Sequence, residues 1–140
     1  TYTSLDDFRI LRSQFYGNGE YSLNSRKNLP NSVFLQVPFS KVGLTEKEAL
    51  AAGYEIKVKE IPAAAVPKLQ LEFKTVGLLR AVVDSKTNKI LGAALFCYNS
   101  PEVINIIKTV IDAGLDYTVL RDQIFTHPTV AESLNDLFNL

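Results

Sequence analysis

The sequence predicts an α+β domain: an antiparallel sheet of about four to five strands, arranged as a meander, with helices packed on one side. Three observations predict it. Tyr54, Ile56 and Val58 alternate with Glu55, Lys57 and Lys59, and Leu69, Leu71 and Phe73 alternate with Gln70, Glu72 and Lys74, which is the period of a half-buried strand. Residues 90–98 are almost wholly apolar, as expected of a central strand buried on both faces. Residues 101–113 carry Val103, Ile104, Ile106, Ile107, Val110 and Ile111, a helical stripe wider than one sheet face needs.

Taken in order, residues 1–16 predict a short helix. Ser4 can cap it, Asp6 and Asp7 suit its positive N-terminal end, and Leu5, Phe8, Leu11 and Phe15 recur at helical spacing. Gly17 ends it. Residues 17–32 are rich in Gly, Asn and Ser with one proline, Pro30, and predict an irregular connector of a length uncommon inside compact domains. The helix is therefore expected to belong to a neighbouring domain.

Residues 33–37 suit a strand. Thr45 and Glu48 form a capping box for a helix over 46–52, which Gly53 stops. Gly77 turns the chain into a strand over 78–83, and the polar stretch 84–89 turns it into the strand at 90–98. Ser100 and Pro101 open the long apolar helix in the preferred way, Gly114 closes it, and residues 116–123 form a further short helix.

The totals bound the function. A chain of 140 residues with 46% hydrophobic content supports one well-developed core. Lys and Arg total 15, as do Asp and Glu, so no bulk field recruits nucleic acid or an anionic membrane. One cysteine, Cys97, excludes an internal disulfide and a multi-cysteine zinc site, and a single histidine leaves an all-protein site for a soft metal hard to build. With no apolar run long enough to span a bilayer, the expected setting is a reducing cytoplasm. The chain starts at Thr1 and has no methionine, so a piece cut from a longer protein is expected.

The lone histidine, His127, precedes Pro128, which restricts it to extended conformations. Thr129 and Glu132 have the spacing of a capping box, predicting a helix from Thr129. Glu132 then lies in the first turn, where side chains lean back toward the N-terminus, and its carboxylate comes near the imidazole. Two readings share this spacing. In one, Glu132 only caps its helix, contributing about 1 kcal/mol, and His127 is an ordinary surface residue. In the other, they are an oriented acid/base pair.

Elsewhere, Cys97 reads as a small core residue. The Gly43-Leu44-Thr45-Glu46 stretch lacks the lysine and glycine series of a phosphate-binding loop and reads as a cap. No serine sits in a nucleophile elbow. His127 is thus a helper with nothing in its own chain to help.

The ordered set His127-Pro128-Thr129-x-x-Glu132, Val42-Gly43-Leu44-Thr45-Glu46-x-x-Ala49, Gly77, Lys89-Ile90-Leu91-Gly92-Ala93 and Glu102 resembles the dimerisation domain of the flavin-dependent pyridine nucleotide-disulfide oxidoreductases. That family includes glutathione reductase, dihydrolipoamide dehydrogenase and mercuric reductase. The resemblance covers residues 31–140, leaving 1–30 as the terminal helix and connector of a preceding flavin domain. The stretches at 2–10, 26–28, 120–128 and 132–137 are similar to the bacterial subgroup linked to reactive-chlorine resistance, the hypothiocyanous acid reductase type.

The resemblance implies an enzyme in which NAD(P)H reduces FAD and the flavin reduces a cysteine pair that reduces the substrate. It implies that His127 acts from the partner subunit as acid/base at that pair, that Glu132 orients it, and that His127 and Pro128 contact the flavin across the dimer, often through a cis bond. The stripe of the 101–113 helix would face the partner subunit. The FAD and nicotinamide motifs and the cysteine pair are absent from these residues, so the fragment is expected to bind no cofactor or metal and to be inactive alone. Its partner is expected to be a second copy, with neither nucleic acid nor membrane. The alternative is a stand-alone, non-catalytic homodimerisation module.

Overall fold

The computed structural model describes residues 2–140. The chain runs α1 (Tyr2–Tyr16), β1 (Asn31–Val33), β2 (Phe39–Gly43), α2 (Glu46–Ala51), β3 (Ile56–Pro62), α3 (Pro67–Leu71), β4 (Leu78–Asp84), β5 (Ile90–Phe96), α4 (Ser100–Asp112), α5 (Thr118–Asp122) and α6 (Ser133–Leu137). Single 3-10 turns lie at Leu23–Ser25 and Ala63–Ala65.

The five strands form one antiparallel sheet in the order β1-β2-β5-β4-β3. Only β3, β4 and β5 run as a meander; the expected meander of four to five strands is broken because the β1–β2 hairpin joins the free edge of β5 and the chain then crosses to β3 at the far edge. That puts the apolar segment at 90–96 in the centre of the sheet. Pairing of β2 with β5 requires two glycines. A Cβ on Gly92 would lie 2.1 Å from the Leu44 carbonyl oxygen, and one on Gly43, which has φ of +71°, would lie 2.2 Å from that of Leu91.

The core lies between the sheet and α4, α5 and α6. Leu79, Leu95, Ile104, Ile107, Leu120, Leu134, Leu137 and Phe138 are all buried in it, each side chain contributing about 1.5–3 kcal/mol relative to exposure. On the opposite face, α2 covers part of the sheet. It is capped by Thr45, whose hydroxyl accepts from the Glu48 amide at 3.2 Å while the Glu48 carboxylate accepts from the Thr45 amide at 2.7 Å. Glu46 of α2 pairs with Arg80 of β4 at 3.2 Å.

Several expectations change. The strand expected at 33–37 is split: β1 ends at Val33, residues 34–38 turn, and β2 begins at Phe39. The registers Val33↔Phe39 and Asn31↔Lys41 explain why, because a hairpin must reverse between them, and Phe34 and Leu35 are left exposed at the bend. The alternation at 69–74 is a short helix and its end, not a strand. Pro67 occupies the first helical turn, as proline prefers. Phe73 takes a φ of +55°, and the Lys74 amide returns to the Leu69 carbonyl at 2.9 Å. Only Leu69 of the apolar trio is buried.

The expected helix at 1–16 is α1, with Thr1 outside the described residues. Its Asp6 accepts from Tyr21 at 2.6 Å and pairs with Arg26 at 2.6 Å, so its polar side faces the connector. Leu5, Phe8, Leu11 and Phe15 remain between 42% and 73% exposed. The α4 stripe is not spare: Val103, Ile104, Ile107 and Val110 are buried, and Ile106 and Ile111 pack partly against the same core. Besides α1, exposed apolar surface lies on the outer sheet face and its rim. The registers align Val33, Phe39, Phe96 and Leu78 in one row across four strands, with exposed Phe34, Phe73 and Val76 nearby in sequence.

Candidate functional site

The segment bearing His127 leaves α5 and returns into α6. Residues 123–129 make no backbone–backbone hydrogen bond among the described residues. Phe125 packs against the core while Ile124 is fully exposed. Burial of Val130, Leu134, Leu137 and Phe138 then anchors the returning chain.

The His127–Pro128 peptide bond is cis. The Thr129 hydroxyl straddles it, donating to the Thr126 carbonyl at 2.7 Å and accepting from the Glu132 amide at 3.3 Å. Only half of the expected capping box closes. α6 begins at Ser133 rather than Thr129, and the Glu132 carboxylate turns to the histidine instead of to the Thr129 amide.

His127 Nδ1 lies 2.8 Å from Glu132 Oε2. The Glu132 side chain is 17% exposed and that of His127 is 74% exposed. A carboxylate only accepts, so Nδ1 carries the proton of this bond and Nε2 is the nitrogen left to act. Nε2 has no partner among the described residues. The arrangement is an imidazole held at one nitrogen by a sheltered carboxylate and presented outward at the other, beside an exposed Pro128. It can take or give a proton at Nε2, but only to something that comes to it.

Among the described residues nothing else completes a site. A groove of about 1250 Å³ between α1, the connector and α4 is lined by residues such as Arg26, Glu102 and Lys108, and excludes both His127 and Glu132. No group of three or more His, Cys, Asp or Glu among the described residues is placed to hold a metal. Cys97 is fully buried, and burial pushes its thiol up to about 12, which leaves it a core residue rather than a nucleophile.

Sequence reasoning brought His127 and Glu132 together and gave Asn135 no role. The Asn135 carboxamide nitrogen reaches three carbonyl oxygens: those of Leu120 and Arg121 at 2.9 Å and that of Gln123 at 3.0 Å. These partners lie 12–15 residues away, beyond any spacing rule. The one local signal is that Asn135 stands three positions after Glu132, on the same helical face.

The family model described as pyridine nucleotide-disulphide oxidoreductase, dimerisation domain, matches residues 29–138. Probable pyridine nucleotide-disulfide oxidoreductase RclA of Escherichia coli is 54% identical over 140 residues, covering 100% of this chain and 32% of that protein. A mercuric reductase of Bacillus cereus is 36% identical over 115 residues, 80% of this chain and 18% of that protein. The solved structure of the HOCl-induced flavoprotein disulfide reductase RclA from E. coli superposes with a TM-score of 0.96 at 53% identity, over 99% of this chain and 32% of that one. LpdA from Mycobacterium tuberculosis, at 14% identity and a TM-score of 0.73, shares the fold. The chain spans about a third or less of the length of these relatives. With its sheet, its helices and most of its length accounted for by one family, this chain belongs to the pyridine nucleotide-disulphide oxidoreductases, as their dimerisation domain.

Proposed function

We propose that this domain forms the interface of a homodimeric, FAD-dependent, NAD(P)H-driven oxidoreductase and donates His127 to the dithiol site of the partner subunit. The observation that carries the reading is the 2.8 Å contact of Nδ1 with a sheltered Glu132, which leaves Nε2 outward on an exposed residue. That pair has a fixed tautomer but no nucleophile and no walls, as expected of a group that works at another chain's site.

Family membership implies FAD, and the residues present fit an approach from across a subunit boundary, since His127 and Pro128 are both exposed. When bound, FAD would supply the electrons that NAD(P)H delivers to the cysteine pair. This chain's contribution is proton handling: Nε2 takes a proton from a thiol as it attacks a disulfide and returns it to the departing sulfur, while Glu132 holds the imidazole in place. Alone, the domain would bind no nucleotide tightly and catalyse nothing.

Two further observations support a larger, dimeric protein. The apolar side of α1 stays largely exposed among the described residues, consistent with residues 1–30 belonging to a preceding flavin domain. The apolar row across the outer sheet, with Val33 and Leu78 exposed and Phe39 and Phe96 half-buried, is surface that a full-length dimer would cover. No described helix is long and apolar enough to cross a membrane.

The test uses the full-length enzyme. Wild type and His127→Ala are compared by stopped-flow absorbance in the two half-reactions, flavin reduction by NAD(P)H and disulfide exchange. Exchange should slow by about 10²–10⁴ with flavin reduction intact. Two unchanged half-reactions would leave a non-catalytic dimerisation module.

A further inference from the structure

We propose that Asn135 is a positioning residue for the His127–Glu132 pair, fixing the His127 segment to α6; the inference rests on His127 being the donated acid/base. Residues 123–129 lack any backbone–backbone hydrogen bond among the described residues. Among the described residues, the hydrogen bonds of this segment come from side chains that follow the histidine: Asn135 at the Gln123 carbonyl, Thr129 at the Thr126 carbonyl, and Glu132 at the His127 ring. Removing Asn135 releases the end where the chain leaves α5.

The chemistry of the contact is specific. Three carbonyl oxygens at 2.9–3.0 Å converge on one atom, and only a donor is tolerated there. A carboxamide nitrogen has two protons, so at least one is shared between two acceptors. Leu120 and Arg121 lie in the last turn of α5, whose terminal carbonyls lack intrahelical partners. Asn135 therefore closes the end of α5 from a different helix.

Glu132 and Asn135 are spaced to share one face at the start of α6, and buried Leu134, Leu137 and Phe138 hold that helix in place. The segment is thus held at Gln123 by one residue and at His127 by the other. Loss of the first lets the second work from a displaced loop, and a misplacement of about 1 Å can slow a reaction by about 10².

The experiment uses the full-length dimer with 5,5′-dithiobis(2-nitrobenzoate) as the disulfide probe. Asn135→Asp keeps the shape but turns an acceptor toward the carbonyls; Asn135→Gln retains the amide donors on a longer arm. Asn135→Asp should slow exchange by about 10–10² with KM for the probe and flavin reduction unchanged. Asn135→Gln should recover part of the rate, and Asn135→Asp should slow exchange no further in a His127→Ala background. If Asn135→Asp does not accumulate as a flavin-loaded dimer, Asn135→Ala removes the donors without adding charge and is read the same way. Unchanged exchange, or an equal loss in the His127→Ala background, overturns the inference alone. Exchange insensitive to His127→Ala overturns the acid/base reading and this inference with it.

Discussion

Replacing Glu132 by Gln isolates what the carboxylate does. The side chain keeps its length and an oxygen able to accept from Nδ1, but the negative charge 2.8 Å from the ring is lost. A hydrogen bond to a charged group contributes about 1.5–3 kcal/mol. His127 is 74% exposed, so solvent screening places this one at the low end. About 1.4 kcal/mol of lost stabilisation is about tenfold in rate. The fold should hardly respond, because Leu134, Leu137 and Phe138, which anchor α6, do not depend on that charge. Stopped-flow measurement on the full-length dimer should show disulfide exchange slowed about tenfold, with flavin reduction and melting temperature in place. Glu132→Asp, which withdraws the carboxylate by one methylene, should act in the same sense. Equal slowing of both half-reactions, or exchange unaffected while His127→Ala slows it, would refute the orienting role.

Phe138 is fully buried where α6 meets the core, so Phe138→Ala should destabilise the chain by about 3–5 kcal/mol in denaturant unfolding. A loss below about 1 kcal/mol would mean that the C-terminus does not anchor the site. The Asp84 carboxyl is held below its ordinary value by donation from the Thr87 hydroxyl and the Lys86 amide. The stability it contributes is present above the unfolded value of about 3.9 and is lost as pH falls through the lower folded value; acid melts of Asp84→Asn should lack that component. Cys97, with its thiol pushed up to about 12 by burial, should resist iodoacetamide at neutral pH in the folded chain and react after unfolding. Rapid native labelling would place it outside the core.

Much of this molecule is written in short-range pattern. The α4 stripe, the Thr45–Glu48 cap, and the two strands either side of the turn at 84–89 all follow from spacings of a few residues. So does the meeting of His127 and Glu132, because proline extends one and a helix start turns back the other. The ordered motifs carried the family as well. What failed locally failed for tertiary reasons. The alternation at 69–74 met no strand to pair with, and Pro67 with a left-handed Phe73 closed it as a helix. The apolar run at 33–37 bent because β2 pairs with β5 on one side and β1 on the other. The α4 stripe looked spare until α5 and α6 were folded over the same core.

By itself, then, the sequence determined most of the elements, the family and the meeting of His127 with Glu132. Only the tertiary structure decided the strand order, which apolar faces stay bare, and the clamp of Asn135 on carbonyls 12–15 residues upstream. Local periodicity reports how a segment can bury its own side chains; which groups meet across the fold depends on how the segments pack together.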